Sequence, residues 1–214
     1  MAEITLGNIN TSNNISEFVE TKNEQNLKRT WLNRTDHVRG ATAADVFPEI
    51  GGDPEYLELW KEHFGDFNGK ILEIGAGTGF LAKNILKINE DVQYSILDIE
   101  RNFEFIKETL SDSPEVEYIK SSEYKNVFNQ EWDVLIATHC LSETPRYYYT
   151  DILDNISVKA CFVVDYGGDP NDPGFEQSLT EWFAKFPNGE RLLNQKLLGA
   201  SKIGGMPVYI GKPA

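Results

Sequence analysis

Residues 70–80 read Lys70-Ile71-Leu72-Glu73-Ile74-Gly75-Ala76-Gly77-Thr78-Gly79-Phe80, an apolar run followed by a glycine-rich turn. An amphipathic segment begins directly after the last glycine. This order predicts a strand, a tight turn and the start of a helix, which together bring backbone N–H groups close to a ligand. The three alternate glycines lack the Cβ atoms that would obstruct such an approach, and they permit positive φ angles. The segment therefore predicts a binding loop at the carboxyl end of a strand.

Two classes of ligand are bound by loops of this kind, dinucleotides and S-adenosylmethionine. A dinucleotide loop has a third glycine or an alanine at the position of Phe80, where a small residue lets helix and strand pack closely. The alternation that starts at Glu73 instead resembles the first motif of class I S-adenosylmethionine-dependent methyltransferases. The resemblance implies that the glycines lie against the methionine part of the cofactor and that the acid helps to bind it. The residues of this motif that the resemblance predicts to contact the cofactor are Glu73, Gly75, Ala76, Gly77, Thr78, Gly79 and Phe80.

A second acid supports this interpretation. A strand is predicted over residues 92–97, and Asp98 follows it directly, 23 residues after Gly75, close to the spacing of about 20 residues expected of a ribose-binding acid. An ionised carboxylate only accepts hydrogen bonds, so Asp98 is expected to accept them from both ribose hydroxyls. The resemblance places adenine at the turn after the third strand, where Ser122 or Glu123 would contact it. The remaining residues predicted to contact the cofactor are Ile99 and Thr138.

Composition limits the possible functions. The chain has 214 residues, with 34 acidic and 20 basic side chains and a formal net charge of −14. Such a charge repels polyphosphate, so nucleic acid is not an expected partner. No apolar run is long enough to span a membrane, and the N-terminus lacks a basic and then apolar signal region. We expect a cytoplasmic protein without a membrane partner.

The two cysteines, Cys140 and Cys161, are expected to be free thiols. Cys140 falls past the end of the predicted fourth strand, whereas Cys161 falls at the start of the fifth. In neighbouring parallel strands these positions lie at opposite edges of the sheet, too far apart for a disulfide. Free thiols agree with the cytoplasmic location.

The remaining pattern predicts a Rossmann-like, doubly wound α/β fold. Alternating β and α segments end in two β runs, about 192–202 and 207–210, which indicate a hairpin. We expect seven strands, mostly parallel, with an antiparallel last strand. Residues 1–65 are expected to form an N-terminal extension with cap helices, and residues 66–214 the S-adenosylmethionine-binding domain. A helix is predicted to start after the fourth strand with Thr144 as its cap.

Ligands of open α/β sheets bind outside the carboxyl ends of the strands, where His139 and Asp165 are also expected. Methyl transfer requires alignment of the reactants and, for a hydroxyl acceptor, removal of a proton. His139 is the candidate base because free imidazole has a pKa of about 6.5; alternatively it packs against the cofactor or bonds a carbonyl. Asp165 is a candidate to orient His139 or to contact the substrate, or else it is an ordinary loop residue.

Other methyltransferase types agree less well with residues 138–143. The segment lacks the Pro-Pro-aromatic motif of enzymes that methylate base amino groups, and Cys140 follows a histidine rather than the proline of carbon-5 pyrimidine enzymes. Glu143 has no second glutamate of the kind that arginine methyltransferases use. The aspartate of metal-dependent O-methyltransferases is absent from this strand end, so no metal is expected.

Residues 136–145 resemble the same region of bacterial sugar O-methyltransferases, which tends to show Ser-Phe-x-Glu-Met before an aromatic-rich helix. Glu143 matches that pattern, whereas Cys140 and Thr144 stand in place of the Ser and the Met. Three consecutive helical positions cannot all face a core, so at least one of the tyrosines at 147–149 should be exposed. The residues expected on the substrate side are Glu143, Tyr147, Tyr148 and, from the N-terminal cap, His37.

The sequence thus predicts an S-adenosylmethionine-dependent O-methyltransferase of a small-molecule or sugar hydroxyl, with direct in-line transfer and His139 as base. An N-methyltransferase of a small amine, with Glu143 or Asp165 binding the cation, is an alternative. A protein that binds the cofactor without catalysis is another. A dinucleotide oxidoreductase is disfavoured by Phe80 and by the terminal hairpin.

Overall fold

The structure, a computed structural model, describes residues 54–113, 115–165, 174–194 and 206–212. The helices are α1 (Pro54–Phe64), α2 (Phe80–Ile88), α3 (Phe103–Thr109), α4 (Arg146–Asn155) and α5 (Gly174–Phe183). The strands are β1 (Lys70–Ile74), β2 (Gln93–Asp98), β3 (Glu117–Lys120), β4 (Glu131–Thr138), β5 (Ser157–Val164), β6 (Glu190–Asn194) and β7 (Met206–Gly211). Short 3-10 segments cover Glu100–Asn102, Ser121–Asn129 and Leu141–Glu143. Of the expected N-terminal extension, residues 1–53, with His37, lie outside the described residues, whereas residues 54–64 form α1.

Within the described ranges, seven strands form one sheet in the order β3-β2-β1-β4-β5-β7-β6. Strands β1 to β5 run parallel to one another, whereas β7 is antiparallel to both β5 and β6. This arrangement confirms the predicted seven-stranded sheet with an antiparallel last strand. The order reverses between β1 and β4, so the carboxyl ends of these two strands flank the point where such sheets bind ligands.

The sheet is covered on both faces. Helices α1, α2 and α3 bury apolar side chains on one face, where Trp60, Ile85 and Ile106 have no exposed surface. Helices α4 and α5 cover the other face, with Ile152 and Phe175 fully buried. Residues 134–137 of β4 and 160–164 of β5 are apolar because both faces of these central strands are buried there, as is usual in parallel sheets. No helix in the described ranges is long and apolar enough to cross a membrane.

Helix α1 is fixed to the body of the domain at its carboxyl half. The indole Nε1 of Trp60 donates a hydrogen bond to Asn89 Oδ1 at 2.9 Å. The Asn89 amide in turn donates to the carbonyls of Gly65 and Phe67, at 2.9 and 2.8 Å. Asn89 itself is buried, so its polar atoms are satisfied inside the protein, as burial requires. This network holds α1 over the edge of the sheet.

Two local predictions were wrong. Helix α4 begins at Arg146 with Pro145 in the N-cap position, so Thr144 is not its cap. The Thr144 hydroxyl instead donates to the carbonyl of Leu141 at 2.8 Å, which closes the preceding 3-10 turn. Cys161 lies in the middle of β5, because that strand starts at Ser157 rather than at Ala160. Both cysteines are free thiols, as expected.

Candidate cofactor and methyl-transfer site

The glycine-rich turn adopts the predicted left-handed conformations. The φ angles of Gly75, Gly77 and Gly79 are 72°, 62° and 78°, values that side chains disfavour. The N–H of Gly75 donates to the carbonyl of Leu97 at 2.9 Å, which ties the turn to the end of β2. Gly79 is the N-cap of α2. The turn therefore directs backbone groups toward the space above the carboxyl ends of β1 and β2.

Two of these glycines have different surroundings. A Cβ atom at Gly75 would lie 2.4 Å from Cys140 Cβ, whereas a Cβ atom at Gly77 would meet no atom within 4 Å. The thiol of Cys140 also lies 2.8 Å from the carbonyl oxygen of Ile74. Cys140 therefore packs directly on the first glycine, and the space beside Gly77 is open. That open space is where an adenosyl amino acid can lie against the backbone.

Asp98 is buried at the end of β2 and is bonded to the glycine turn. Its Oδ2 accepts a hydrogen bond from Gly77 N–H at 3.2 Å. Its Oδ1 accepts from Ile99 N–H at 2.6 Å and from the Asn102 amide at 2.8 Å. A carboxylate has about four lone-pair positions, so Oδ2 retains one for a ribose hydroxyl, while Oδ1 is already used. The prediction that Asp98 accepts hydrogen bonds from both ribose hydroxyls stays a prediction.

Glu73 lies on β1 beneath the turn and is almost fully buried. Its Oε2 accepts a hydrogen bond from the Tyr94 hydroxyl at 2.9 Å, and its Oε1 has no partner among the described residues. Burial raises the pKa of Glu73 from 4.5 to about 7, with a smaller upward effect of Asp98. Burial likewise raises the pKa of Asp98 from 3.8 to about 6. An unsatisfied buried acceptor fits a ligand with a cationic or hydrogen-bond-donating group.

These features match S-adenosylmethionine, which carries a positive charge, an amino group and a ribose diol. Glu73, Asp98 and the backbone of the glycine turn would hold it. Of the other predicted contacts, Ala76, Thr78, Phe80, Ile99 and Thr138 are half-buried around this site, whereas Ser122 and Glu123 are exposed on the 3-10 segment after β3.

His139 directly follows β4 and is buried, with an exposed fraction of 6%. Its φ angle is +56°, the left-handed conformation that is uncommon for residues other than glycine. Its backbone N–H donates to the carbonyl of Val164 at 2.7 Å, and its ring Nε2 is hydrogen-bonded to the hydroxyl of Tyr56. The structure thus brings His139 and α1 together at the same edge as the glycine turn.

Asp165 follows β5 at the same edge and is also buried. Its Oδ2 accepts a hydrogen bond from the backbone N–H of Ser142 at 3.1 Å. This bond holds the turn that carries Leu141–Glu143 beside β5. Glu143 lies within that turn, although its side chain lies outside the described part of the structure.

The tyrosines of α4 differ in exposure, as the helical spacing predicted. Tyr147 is 51% exposed, whereas Tyr148 and Tyr149 are buried. The ring of Tyr148 packs on Tyr124 with centroids 4.5 Å apart. Burial raises the pKa of Tyr148 well above its usual range, with smaller upward effects of Cys140 and Asp98.

The contacts of Tyr56, Tyr94 and Tyr124 at this site were not predicted from the sequence. Tyr94 lies on β2 at a position where the sequence pattern predicts an apolar side chain. The hydrogen bond from its hydroxyl to Glu73 joins β2 to β1. Tyr56 precedes the buried Trp60 by one helical turn, so its position on the inner face of α1 could be predicted. Its hydrogen-bond partner His139, however, is 83 residues further along the chain. Residue spacing alone does not reveal such a contact.

Residues 43–144 match the family model of the methyltransferase small domain. Among solved structures, an O-methyltransferase family protein from Burkholderia thailandensis is 11% identical, and the match covers 98% of this chain and 67% of that one with a TM-score of 0.59. DhpI in complex with SAH is 14% identical, with 87% and 94% covered and a TM-score of 0.53. A dimethyladenosine transferase from Plasmodium falciparum is 17% identical, with 76% and 62% covered and a TM-score of 0.52. A comparison with curated protein sequences found no match.

Residues 43–144 thus carry a methyltransferase domain, and the sheet has the strand order of class I S-adenosylmethionine-dependent methyltransferases. The cofactor of this domain is S-adenosylmethionine, and the product of that cofactor is S-adenosylhomocysteine.

Replacement Glu73→Gln is expected to weaken the pH dependence of stability. Because the pKa of Glu73 is raised to about 7, the folded protein keeps a proton that the unfolded chain releases, so wild-type stability falls as pH rises from about 4.5 to about 7. Glutamine stays neutral and can still accept the Tyr94 bond. The free energy of unfolding of the variant minus that of wild type should therefore increase by about 1–3 kcal/mol from pH 5 to pH 8. Urea titration at the two pH values measures this difference.

Glu108→Gln, which replaces an exposed glutamate on α3, is the control for the loss of one negative charge. It should change stability equally at both pH values. If Glu73→Gln behaves in the same way as this control, Glu73 is not the buried acid that the structure describes.

Proposed function

We propose that this methyltransferase is an O-methyltransferase of a small-molecule or sugar-like hydroxyl, with His139 as the general base. S-adenosylmethionine, when bound, supplies a methyl group on a positively charged sulfur, which leaves with the electron pair of the broken bond as the acceptor oxygen takes the methyl. His139 takes up the proton of the acceptor hydroxyl at a ring nitrogen and later releases it to solvent. Glu73, Asp98 and the glycine turn hold the cofactor, and Asp165 holds the turn after β4.

The observation that carries this proposal is the position and backbone of His139. It is a buried histidine in a left-handed conformation at the carboxyl end of β4. The next residue in the chain, Cys140, packs on Gly75 of the loop that would hold the cofactor, so His139 directly precedes a residue that contacts this loop. A left-handed backbone costs about 1–2 kcal/mol, and backbone strain of this kind is concentrated at functional sites.

Charge and exposed aromatic surface support a small neutral acceptor. The formal net charge of −14 disfavours a polyanionic acceptor such as RNA. The half-exposed ring of Tyr147 on α4 offers an aromatic face on which a sugar ring can stack. The fold alone does not distinguish a small acceptor from a nucleic acid, because one of the similar structures is named as a dimethyladenosine transferase.

An acceptor screen tests the proposal. The full chain is given S-adenosylmethionine with sugars and phenols, with small amines, or with short RNA, and formation of S-adenosylhomocysteine is measured. Calorimetry measures cofactor binding separately. We expect turnover with hydroxyl acceptors, increasing with pH as a base loses its proton. Turnover confined to amines or RNA would contradict the proposal, and binding without any turnover would favour a non-catalytic protein.

A further inference from the structure

Asn102 is a buried amide beside the acid that is predicted to bind ribose. It follows Asp98 by four residues at the N-cap of α3, and its exposed fraction is 2%. We propose that Asn102 is a positioning residue, which holds the Asp98 carboxylate oriented and ionised through a hydrogen bond and so sets the pH range in which S-adenosylmethionine binds. This inference rests on the part of the proposed function that assigns Asp98 to the cofactor, and it is independent of the acceptor and of His139.

The hydrogen bond between the two side chains has a defined direction. Asn102 Nδ2 lies 2.8 Å from Asp98 Oδ1. A carboxylate that has lost its proton only accepts hydrogen bonds, so the nitrogen of the amide faces it and the oxygen does not. The backbone N–H of Ile99, which can only donate, shares the same carboxylate oxygen at 2.6 Å. Oδ1 therefore accepts both hydrogen bonds from the chain that follows β2.

These two bonds determine where the other carboxylate oxygen lies. Because Oδ1 is turned toward the chain after β2, Oδ2 lies at the glycine turn, where it accepts from Gly77 N–H at 3.2 Å. Gly77 borders open space, since a Cβ atom there would meet no atom within 4 Å. Among the described residues, Asn102 is the only one whose side chain donates to this carboxylate. Its amide therefore restrains the Asp98 side chain in addition to the backbone donors.

Neither helix capping nor packing accounts for an asparagine at this position. An asparagine at an N-cap usually accepts a hydrogen bond from the first turn of its helix, but the side chain of Asn102 makes no such bond. Its Oδ1 is buried and has no hydrogen-bond partner in the described part of the chain. Burial of an unbonded amide oxygen costs free energy, which an apolar side chain would avoid. The bond to Asp98 is therefore what distinguishes asparagine from an apolar residue here.

The Asp98 carboxylate needs donors because burial disfavours its charge. Burial raises the pKa of Asp98 to about 6, and the three hydrogen bonds to it act in the opposite direction. Without the amide of Asn102 the pKa is expected to rise further, since fewer donors stabilise the ionised form. Hydrogen bonds to an ionised acceptor are the stronger ones, so a protonated Asp98 holds a ribose hydroxyl less well. Cofactor affinity should therefore be present above the pKa of Asp98 and fall as the pH drops through it.

Other ionisable groups lie on the elements next to Asp98. They are Glu73 on β1, Glu100 and Arg101 on the 3-10 segment, Lys120 on β3 and Tyr148 on α4. Asp98 has an upward effect on the pKa of Glu73 and of Tyr148. Lys120, the register partner of Asp98, forms an ion pair with Glu100 at 2.8 Å. A substitution of Asn102 changes none of these groups, so the affinity of the variant relative to wild type reports the amide.

Calorimetric titration of the full chain with S-adenosylhomocysteine, which carries the same ribose, tests the inference between pH 5 and pH 9. Asn102→Leu removes the amide. Asn155→Leu is the matched control, because the exposed Asn155 also donates to the aspartate four residues before it, at 2.9 Å. We expect Asn102→Leu to bind about two- to tenfold more weakly than wild type at pH 7 and to approach wild-type affinity at pH 9. Asn155→Leu should match wild type at every pH.

Nuclear magnetic resonance of the aspartate carboxyl carbons measures the pKa of Asp98 without any cofactor. The signal of Asp98 is identified by its absence in Asp98→Asn. We expect wild type to titrate at about pH 6, and Asn102→Leu to titrate about one to two units higher. Asn102→Ala, which adds no bulk, should shift in the same direction and replaces the leucine variant if urea unfolding shows that leucine disrupts the fold. Equal titrations in wild type and variant, or a loss of affinity that is the same at every pH, would overturn the inference.

The inference and the assignment on which it rests fail separately. Asp98→Asn cannot ionise, and it should bind S-adenosylhomocysteine about tenfold or more weakly at pH 8. If Asp98→Asn binds as tightly as wild type, Asp98 is not a cofactor residue and both statements are wrong. If Asp98→Asn binds weakly while Asn102→Leu keeps the wild-type pH dependence, only the role of Asn102 is wrong.

Discussion

Replacement of His139 by asparagine is expected to lower turnover of a hydroxyl acceptor by a factor of about 10²–10⁴, the range that a general base contributes. An amide cannot take up a proton at neutral pH, so the acceptor hydroxyl would have to lose its proton to water. Binding of S-adenosylmethionine should change little, because most of its predicted contacts lie on β1, β2 and the glycine turn. Turnover assays and calorimetry on the same protein separate these two effects.

Asparagine is the appropriate replacement because it tolerates the left-handed backbone that position 139 requires. The control is His63→Asn, in the last turn of α1, which removes a histidine elsewhere and should keep wild-type turnover. With an amine acceptor that is already deprotonated, His139→Asn should be nearly as active as wild type. A variant that keeps full activity on hydroxyls would show that His139 serves only to pack.

Gly75→Ala is expected to have the largest effect on stability, a loss of about 2–5 kcal/mol in free energy of unfolding. The new Cβ would lie 2.4 Å from Cys140 Cβ and 2.9 Å from its Sγ, and overpacking of this kind costs about 1–3 kcal/mol. The left-handed φ of 72° adds about 1–2 kcal/mol. Because the turn must move to relieve the contact, binding of S-adenosylmethionine should also be lost. Urea unfolding and calorimetry measure the two effects.

Gly77→Ala is the matched control, since its φ of 62° is similar but no atom lies within 4 Å of its new Cβ. It should lose only about 1–2 kcal/mol, yet it should weaken cofactor binding because the methyl group enters the open space. Adding Cys140→Gly to Gly75→Ala should restore part of the stability, since the clashing Cβ is removed. Equal losses in Gly75→Ala and Gly77→Ala, with no rescue, would show that Cys140 does not pack on the turn.

The features that could be predicted from the sequence are those set by local pattern. The apolar run before Glu73, the alternate glycines and the acid after the second strand define β1, the turn and β2 because each depends on residues close together in the chain. The two strands of the hairpin follow in the same way from the two-residue period of a β-strand, and the exposure of one tyrosine in α4 follows from the 3.6-residue period of a helix. These patterns were sufficient for the fold and for the class of cofactor.

Features that depend on contacts between distant segments could not be predicted. Tyr56 and His139 meet only because α1 packs over the edge of β4, and Cys140 contacts Gly75 only because β4 lies beside β1. The start of α4 was predicted one residue too early because Thr144 and Pro145 are both common at helix starts. The competing bond from Thr144 to Leu141 forms only once the preceding 3-10 turn exists.

Strand β7 lies between β5 and β6, although it follows both of them in the chain. A nascent polypeptide, which emerges from the ribosome amino end first, therefore completes β5 and β6 before the strand that joins them exists. Until β7 arrives, residues 161–164 of β5 leave backbone groups unpaired along a row of buried apolar side chains. Unpaired apolar strand edges promote association between chains. In the interval between synthesis of β5 and of β7, this edge of β5 is therefore open to pairing with other chains.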